Sequence, residues 1–328
     1  MTLHENSLTI KNIKEVTNEL HEFIKDQTFE KFRRKGAVIG ISGGIDSAVV
    51  SVLCANAIES GNMLGLIMPE KDSSPNSKIY AELVSKKFNI QTTVLDLTQI
   101  LDAFGVYEKR DNIILKYFKN FDNKCKYRIV VPDQLTNKTN ISIPHLEILD
   151  TNNQIHKIKI NLKDYLEITA ITNIKHRCRM ITLYHYAEKN HFVVAGTTNK
   201  SELMQGYFVK YGDGGVDIDP IAGLYKSQVY QLAHHLGIPT EIIQRKASPD
   251  TWSLEVSDEE FFYGLPYKTL DLLWFAKENN IPVSEISRAL CLSVKQIERI
   301  FDNQQRKWKS SQHMRSIPPQ GKPNIILS

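Results

Sequence analysis

Three short groups of residues, far apart in the chain, carry side chains suited to handling a polyphosphate. They are Ser42-Gly43-Gly44-Ile45-Asp46-Ser47, Gly196-Thr197-Thr198-Asn199-Lys200-Ser201-Glu202 and Gly223-Leu224-Tyr225-Lys226. The first follows the apolar run Val38 to Ile41, with Gly40 inside it, and precedes the apolar stretch Ala48 to Ile58. That order reads as a buried strand, a glycine turn and the first turn of a helix. Such a turn presents free backbone N–H groups and the positive end of a helix dipole to an anion. Gly43 and Gly44 permit positive φ and close approach of a ligand to the backbone. Ser42 and Ser47 add hydroxyl donors, and Asp46 places a carboxylate where a phosphate-bound divalent cation could sit. The Lys that a Walker loop needs before its Ser or Thr is missing, as is the third Gly of a dinucleotide fingerprint. A plain glycine turn between strand and helix is the alternative for the Gly-Gly pair alone.

The complete Ser-Gly-Gly-x-Asp-Ser string resembles the pyrophosphate-binding loop of N-type ATP pyrophosphatases, which split ATP into AMP and pyrophosphate. The second group continues into Gly206-Tyr207-Phe208-Val209-Lys210-Tyr211-Gly212-Asp213-Gly214-Gly215. Composition alone describes either a polar surface loop or a polyphosphate and metal site. Set after the glycine turn, however, Gly196-Thr197, Glu202, Lys210-Tyr211-Gly212-Asp213-Gly214 and Gly223-Leu224-x-Lys226 together resemble the ammonia-dependent NAD synthetases. So does Asn173-Ile174-Lys175-His176-Arg177-Cys178-Arg179-Met180, which matches an Asn-x-Lys-x-Arg-x-Arg-Met helix of that family.

The resemblance implies an ATP-dependent amide ligase. ATP would convert the nicotinate carboxylate of deamido-NAD to an acyl-adenylate with loss of pyrophosphate, and ammonia would displace AMP. It also implies the site residues. Gly40, Ser42, Gly43, Gly44, Ser47, Arg179, Thr197, Lys226 and Ser248 would bind ATP. Asp46 and Glu202 would hold magnesium, so that Asp46, Thr197 and Lys226 form the catalytic group. Arg177, Lys210, Asp213 and His313 would face the second nucleotide. Arg177 and Arg179 are two apart and so point to different faces of a helix, which leaves at most one for any given role. Family members are homodimers, so a homodimer is expected. The short stretch before Ile10 leaves no place for a glutaminase domain, and nitrogen is expected from free ammonia or from a separate glutaminase partner.

The elements that must position these groups are readable from periodicity. Ile10 to Ile24 has helical spacing, and Met63 to Met68, Thr92 to Leu97 and His191 to Ala195 read as strands. Helices are expected from Ser77 to Phe88 and from Asp164 or Thr169 to Lys189. Strands alternating with helices predict an α/β fold, a doubly wound parallel sheet with helices on both faces and ligands at the carboxyl ends of its strands. Residues 1–116 and 163–250 would form this ATP pyrophosphatase domain. Between them, 117–162 reads as a small β-rich insertion with short strands at Tyr127 to Val131, Ile141 to Ile143, Leu146 to Leu149 and Ile155 to Ile160. Residues 251–328 read as a helical C-terminal extension. Within it, Val283 to Leu290 and Cys291 to Ile300 have the outline of a helix-turn-helix, although their apolar positions equally suit a hairpin packed on a core.

The acceptor side departs from the family pattern. Lys246-Ala247-Ser248-Pro249-Asp250-Thr251-Trp252 stands where the family has a Pro-Ser/Thr-Ala-x-Leu loop. Bulky Phe261, Phe262 and Tyr263 follow, and Met314 stands where a lysine is usual. This keeps open a ligase for another carboxylate, of a sugar or small metabolite, or a non-catalytic nucleotide-binding regulator.

Composition is that of an ordinary globular protein: 328 residues, 41% hydrophobic, 24% charged and a formal net charge of +4. So small a charge gives nucleic-acid binding no general support. The four cysteines lack Cys-x-x-Cys spacing, which argues against a disulfide framework or zinc site and for a reducing compartment. With neither a signal-like apolar leader nor an apolar run long enough to span a bilayer, a cytoplasmic location is expected.

Overall fold

The computed structural model describes residues 3–135 and 144–321. A four-stranded parallel sheet forms its centre, with strands β1 (Gly36–Gly40), β2 (Met63–Ile67), β3 (Thr92–Val94) and β7 (Phe192–Ala195) in the order β3-β2-β1-β7. The strands are apolar because both faces are covered. Ala37 and Ile39 point into one buried cluster while Val38, between them, points into the other. Val193 and Ala195 alternate with Val194 in the same way. On one face lie α1 (Ile13–Lys25), α2 (Ile45–Ala57), α3 (Pro75–Lys87) and α8 (Lys226–His235). The opposite face holds α4 (Thr98–Ala103), α5 (Val106–Tyr117) and the long α6 (Leu162–Asn190). This is the doubly wound α/β fold expected. β3 ends at Val94 and not Leu97, but Leu95 and Leu97 N–H still donate to Ile67 and Pro69 carbonyls.

The strand order carries a functional consequence. From β1 the chain moves outward to β2 and β3, then returns to β7 on the other side of β1. The loops leaving β1 and β7 therefore diverge at their carboxyl ends and open a crevice, the usual ligand position in such sheets. The glycine turn follows β1 and Gly196-Thr197 follows β7.

Between α5 and α6, β4 (Lys126–Val130), β5 (His145–Leu149) and β6 (Ile155–Lys159) form an antiparallel three-stranded sheet. The strand expected at Ile141 to Ile143 lies outside the described residues. After the short α7 (Lys200–Gln205) and α9 (Thr240–Gln244) come α10 (Tyr267–Glu278), α11 (Val283–Leu290), α12 (Val294–Ser310) and α13 (Gln312–Arg315). Ile286, Ile297 and Ile300 join Leu270 and Trp274 in a third buried cluster. The apolar positions of the helix-turn-helix outline are thus spent on packing. Leu3 and Leu8 close the same cluster from the start of the chain.

Candidate active site

The glycine turn is tight. Gly43 has φ +78°, and a Cβ there would lie 2.3 Å from the backbone oxygen of Ser77 at the start of α3. No side chain fits, so glycine is required by conformation and by space. Gly44 is different: it caps α2 in an extended conformation, φ −87° and ψ 162°. Of the two glycines expected to supply positive φ, only Gly43 does so. The Ser47 hydroxyl accepts from Ser42 N–H at 3.2 Å and donates to Gly44 O at 2.9 Å, with the Ser42 hydroxyl 3.0 Å away. The serines thereby knit the turn together. α2 has no side-chain cap at its N-terminus, so its first N–H groups and dipole remain available to an anion.

Asp46, in the first turn of α2, meets residues from two later loops. Its carboxylate is directly hydrogen-bonded to Lys226 Nζ and accepts from Asn199 Nδ2 at 3.0 Å. Glu202 lies 3.7 Å from the same amine. Asn199 and Glu202 form a reciprocal capping box at the start of α7, which fixes where the Glu202 side chain can go. Lys226 opens α8, and its N–H donates to Ser201 Oγ at 2.9 Å. Behind it the buried Asp271 of α10 accepts from the Ser201 hydroxyl at 2.5 Å and from Ser227 N–H at 2.9 Å. One carboxylate thus locks the starts of two helices together.

Burial pushes the Glu202 carboxyl well above its usual range, and the nearby Asp46 charge adds to the effect. Burial opposes the charge on Lys226, but Asp46 and Glu202 outweigh it and raise the amine above its ordinary value. A third carboxylate, Asp258, is held up by burial and accepts from the hydroxyls of Tyr207 at 2.8 Å and Tyr267 at 2.9 Å. Asp258 and Asp271 were absent from the residues the sequence singled out. Asp258 stands in the acidic run Asp258-Glu259-Glu260, and that is its one available signal.

These groups open onto a cavity of about 470 Å³ at the β1/β7 edge. Gly40, Ser42, Gly44, Asp46, Ser47, Arg179, Thr197, Glu202, Asp213, Lys226 and Ser248 all line it, as does Met314. A second concavity of about 480 Å³, bordered by Gly61, Lys86 and Asn89, is open and lies away from the glycine turn. On the α6 wall the two arginines part as their spacing requires. Arg179 faces inward with Nε 3.4 Å from Met68 O, whereas exposed Arg177 reaches Lys210 O at 3.4 Å. Lys210 in turn donates to His313 O at 2.7 Å, and the exposed His313 ring sits 3.1 Å from Ser310 O. Arg177, Lys210 and His313 therefore gather outside the cavity wall. Asp213 stands between the two groups, accepting from Val209 N–H at 2.8 Å with His176 3.5 Å away.

The remaining wall is the loop that follows Ser248. Trp252 packs edge-on to Tyr127 and beside Phe261, and Phe262 stacks on Tyr207. Trp252, Phe261, Phe262 and Tyr207 thus give the cavity an aromatic surface.

The family model and the curated relatives agree in description. The solved structures of the same fold also include an NMN synthetase from Francisella tularensis, with a TM-score of 0.64 at 24% identity, covering 95% of this chain and 99% of its own. A protein-family model described as NAD synthase matches residues 16–143 and 132–318. The NH(3)-dependent NAD(+) synthetase of Rhizobium meliloti (strain 1021) is 40% identical over 286 residues, covering 87% of this chain and 85% of its own. That of Methanocaldococcus jannaschii is 31% identical over 309 residues, covering 94% of this chain and 97% of its own. Among solved structures, the NH3-dependent NAD synthetase from Campylobacter jejuni superposes with a TM-score of 0.62 at 23% identity, covering 95% of this chain and all of its own. At that identity the superposition speaks for the fold.

Proposed function

The chain belongs to the NAD synthase family, and we infer that it is an ATP-dependent carbon–nitrogen ligase that amidates deamido-NAD with ammonia to give NAD, AMP and pyrophosphate. The observation that carries the reading at the level of geometry is the meeting of Asp46, Glu202 and Lys226 beside an uncapped helix N-terminus in one cavity.

The chemistry needs little covalent help from the protein. A carboxylate oxygen of the substrate attacks the α-phosphorus of ATP, and the bond to the β-phosphate oxygen breaks. Pyrophosphate leaves with that electron pair. The ammonia lone pair then attacks the activated carbonyl, a proton is lost, and AMP departs as the amide forms. Positioning and charge stabilisation supply the rate. The amides of the glycine turn, with Ser42 and Ser47, receive the leaving pyrophosphate. Lys226 keeps a positive charge at that end of the cavity, held in place by Asp46. Thr197, Arg179, Gly40 and Ser248 complete the ATP contacts, and Trp252, Phe261 and Phe262 keep water from the activated carbonyl.

Asp46 and Glu202 are the residues that would hold magnesium. The fit follows from their chemistry: two carboxylates share one corner of the cavity beside Lys226, and burial, with Asp46 adding to it, holds the Glu202 carboxyl above its usual range. Among the described residues no group of three or more His, Cys, Asp or Glu is placed to hold a metal. That suits an ion bound through one or two carboxylates together with substrate phosphates. Bound magnesium would neutralise charge growing on the leaving pyrophosphate.

Arg177, Lys210 and His313, with Asp213, are assigned to the second nucleotide at the rim. A homodimer is the assembly this reading favours, supported by Leu162, Leu166 and Ile181 exposed along the outer face of α6. Ammonia arrives free or from a separate glutaminase. The four cysteines are free, in keeping with a cytoplasmic enzyme, and no described helix is long and apolar enough to cross a membrane.

The test is release of AMP and pyrophosphate from ATP and ammonium, with and without deamido-NAD. Turnover that requires deamido-NAD is expected. AMP formation only with another carboxylate, or none at all, would overturn the assignment.

A further inference from the structure

The insertion between α5 and α6 is built into the acceptor wall. Along its first strand and the turn after it, the chain hydrogen-bonds to the loop that follows Ser248 at successive points. Tyr127 N–H donates to Ser253 Oγ at 3.0 Å, and Leu254 N–H returns a bond to Tyr127 O at 2.9 Å. Arg128 Nη1 donates to Glu255 O at 2.8 Å, Val131 N–H to Glu260 O at 2.9 Å, and Gln134 N–H to Gly264 O at 2.7 Å. Gly264 has φ +63°, and a Cβ there would stand 2.7 Å from Pro132 O, so the end of the loop is shaped to the insertion.

The frame is itself anchored. Arg110 Nη1 bonds to the Tyr127 hydroxyl at 3.2 Å and to Asp72 at 2.5 Å, within a buried group that includes Glu70 and Lys175. The buried carboxylates Glu70 and Asp72 face the buried cations Arg110 and Lys175 there, as buried charges must be paired. The more exposed Asp111 also pairs with Arg110 at 2.6 Å. Lys175 also donates to Thr251 O at 3.0 Å, so the same cluster grips the start of the loop.

We propose that the insertion is a fixed frame for the acceptor wall, and that Arg128 is a positioning residue for the carboxylate substrate through its bond to Glu255 O. The inference rests on the function given above and adds a role for a segment to which that function assigns none. Arg128 touches no catalytic group. Its other partner, Glu147, keeps Lys157 at 3.0 Å and His145 at 3.4 Å when Arg128 is replaced, so the variant should fold.

The experiment compares the full-length protein with Arg128→Met, Arg128→Lys and Lys157→Met. Arg128→Met should raise the KM for deamido-NAD about fivefold, the equivalent of one hydrogen bond of about 1 kcal/mol, and leave the KM for ATP unchanged. Arg128→Lys should recover part of the loss. Lys157→Met, which loses a contact to the same carboxylate but none to the loop, should match the native protein. Amide hydrogen exchange read by mass spectrometry over residues 251–264 should be slow in the native protein and faster in Arg128→Met. Equal changes in both KM values, no change in either, or unchanged exchange would overturn the frame. If the native protein makes no AMP with deamido-NAD and ammonia, the functional assignment falls, while the exchange measurement still decides the frame.

Discussion

Lys226 and Asp46 lie 180 residues apart and form a direct hydrogen-bonded ion pair, with the lysine side chain 1% exposed and the aspartate 17%. The pair is asymmetric: the cation is enclosed and the anion faces the cavity. Asp46→Asn and Glu202→Gln should each lower magnesium-dependent AMP formation by about 100-fold or more while the circular dichroism spectrum stays native. Normal activity in either variant would remove that residue from the metal site.

Gly43 is the position where the smallest substitution should do most. Gly43→Ala forces a Cβ against a backbone carbonyl in a left-handed conformation, at a cost of about 1–3 kcal/mol. Urea denaturation should show that loss, and ATP should no longer raise the melting temperature. Gly44→Ala, whose Cβ meets only the Ser42 hydroxyl at 3.3 Å and whose φ is ordinary, should be far milder in stability. Equal destabilisation by the two would contradict the turn geometry.

Asp258 is expected to act through stability and lysine placement. Asp258→Leu strands two tyrosine hydroxyls and should cost about 1–3 kcal/mol for each group left buried without a partner. Tyr207→Phe combined with Asp258→Leu should recover part of that cost. An additive double variant would show that the hydroxyl and carboxylate are not coupled.

Lys307 of α12 gives a pH signature. Its amine donates to Phe262 O at 2.7 Å and sits 4.0 Å from the Phe262 ring centre. Burial pushes it from 10.5 down to about 7. Between those values the unfolded chain binds a proton that the folded chain has released, so stability rises with pH across that window. Thermal melts from about pH 7 to about pH 10 should show the native protein gaining on Lys307→Met as pH increases. A constant difference would place the amine in water.

The meeting of the candidate site residues in one cavity was legible where chemistry and topology coincide. Asp46, Thr197, Glu202 and Lys226 sit in polar strings after apolar strands, and a parallel sheet brings the carboxyl ends of its strands to one edge. Arg177 and Arg179 separated as their spacing demands. The acceptor wall was not legible in the same way. Val131 to Glu260 and Gln134 to Gly264 are backbone contacts, which any side chains permit. Lys175 lies in the Asn173 to Met180 string, but its partners Glu70 and Asp72 look like loop acids until β2 and α6 are placed side by side. Leu3 and Leu8, which flank the polar His4 to Ser7, are buried because α10 to α12 provide a surface for them.

Gln134 bonds forward to Gly264, and its carbonyl accepts from Arg299 Nη2 at 2.5 Å. Leu135 O likewise accepts from Gln296 at 3.0 Å. The insertion leaves the ribosome long before either partner does. A nascent chain released as far as α8 contains Asp46 and Lys226, but lacks Ser248, Asp271 and anything against which to close the acceptor end. The acceptor end is therefore the last part of the cavity wall to be completed in synthesis, closed only once Arg299 has emerged.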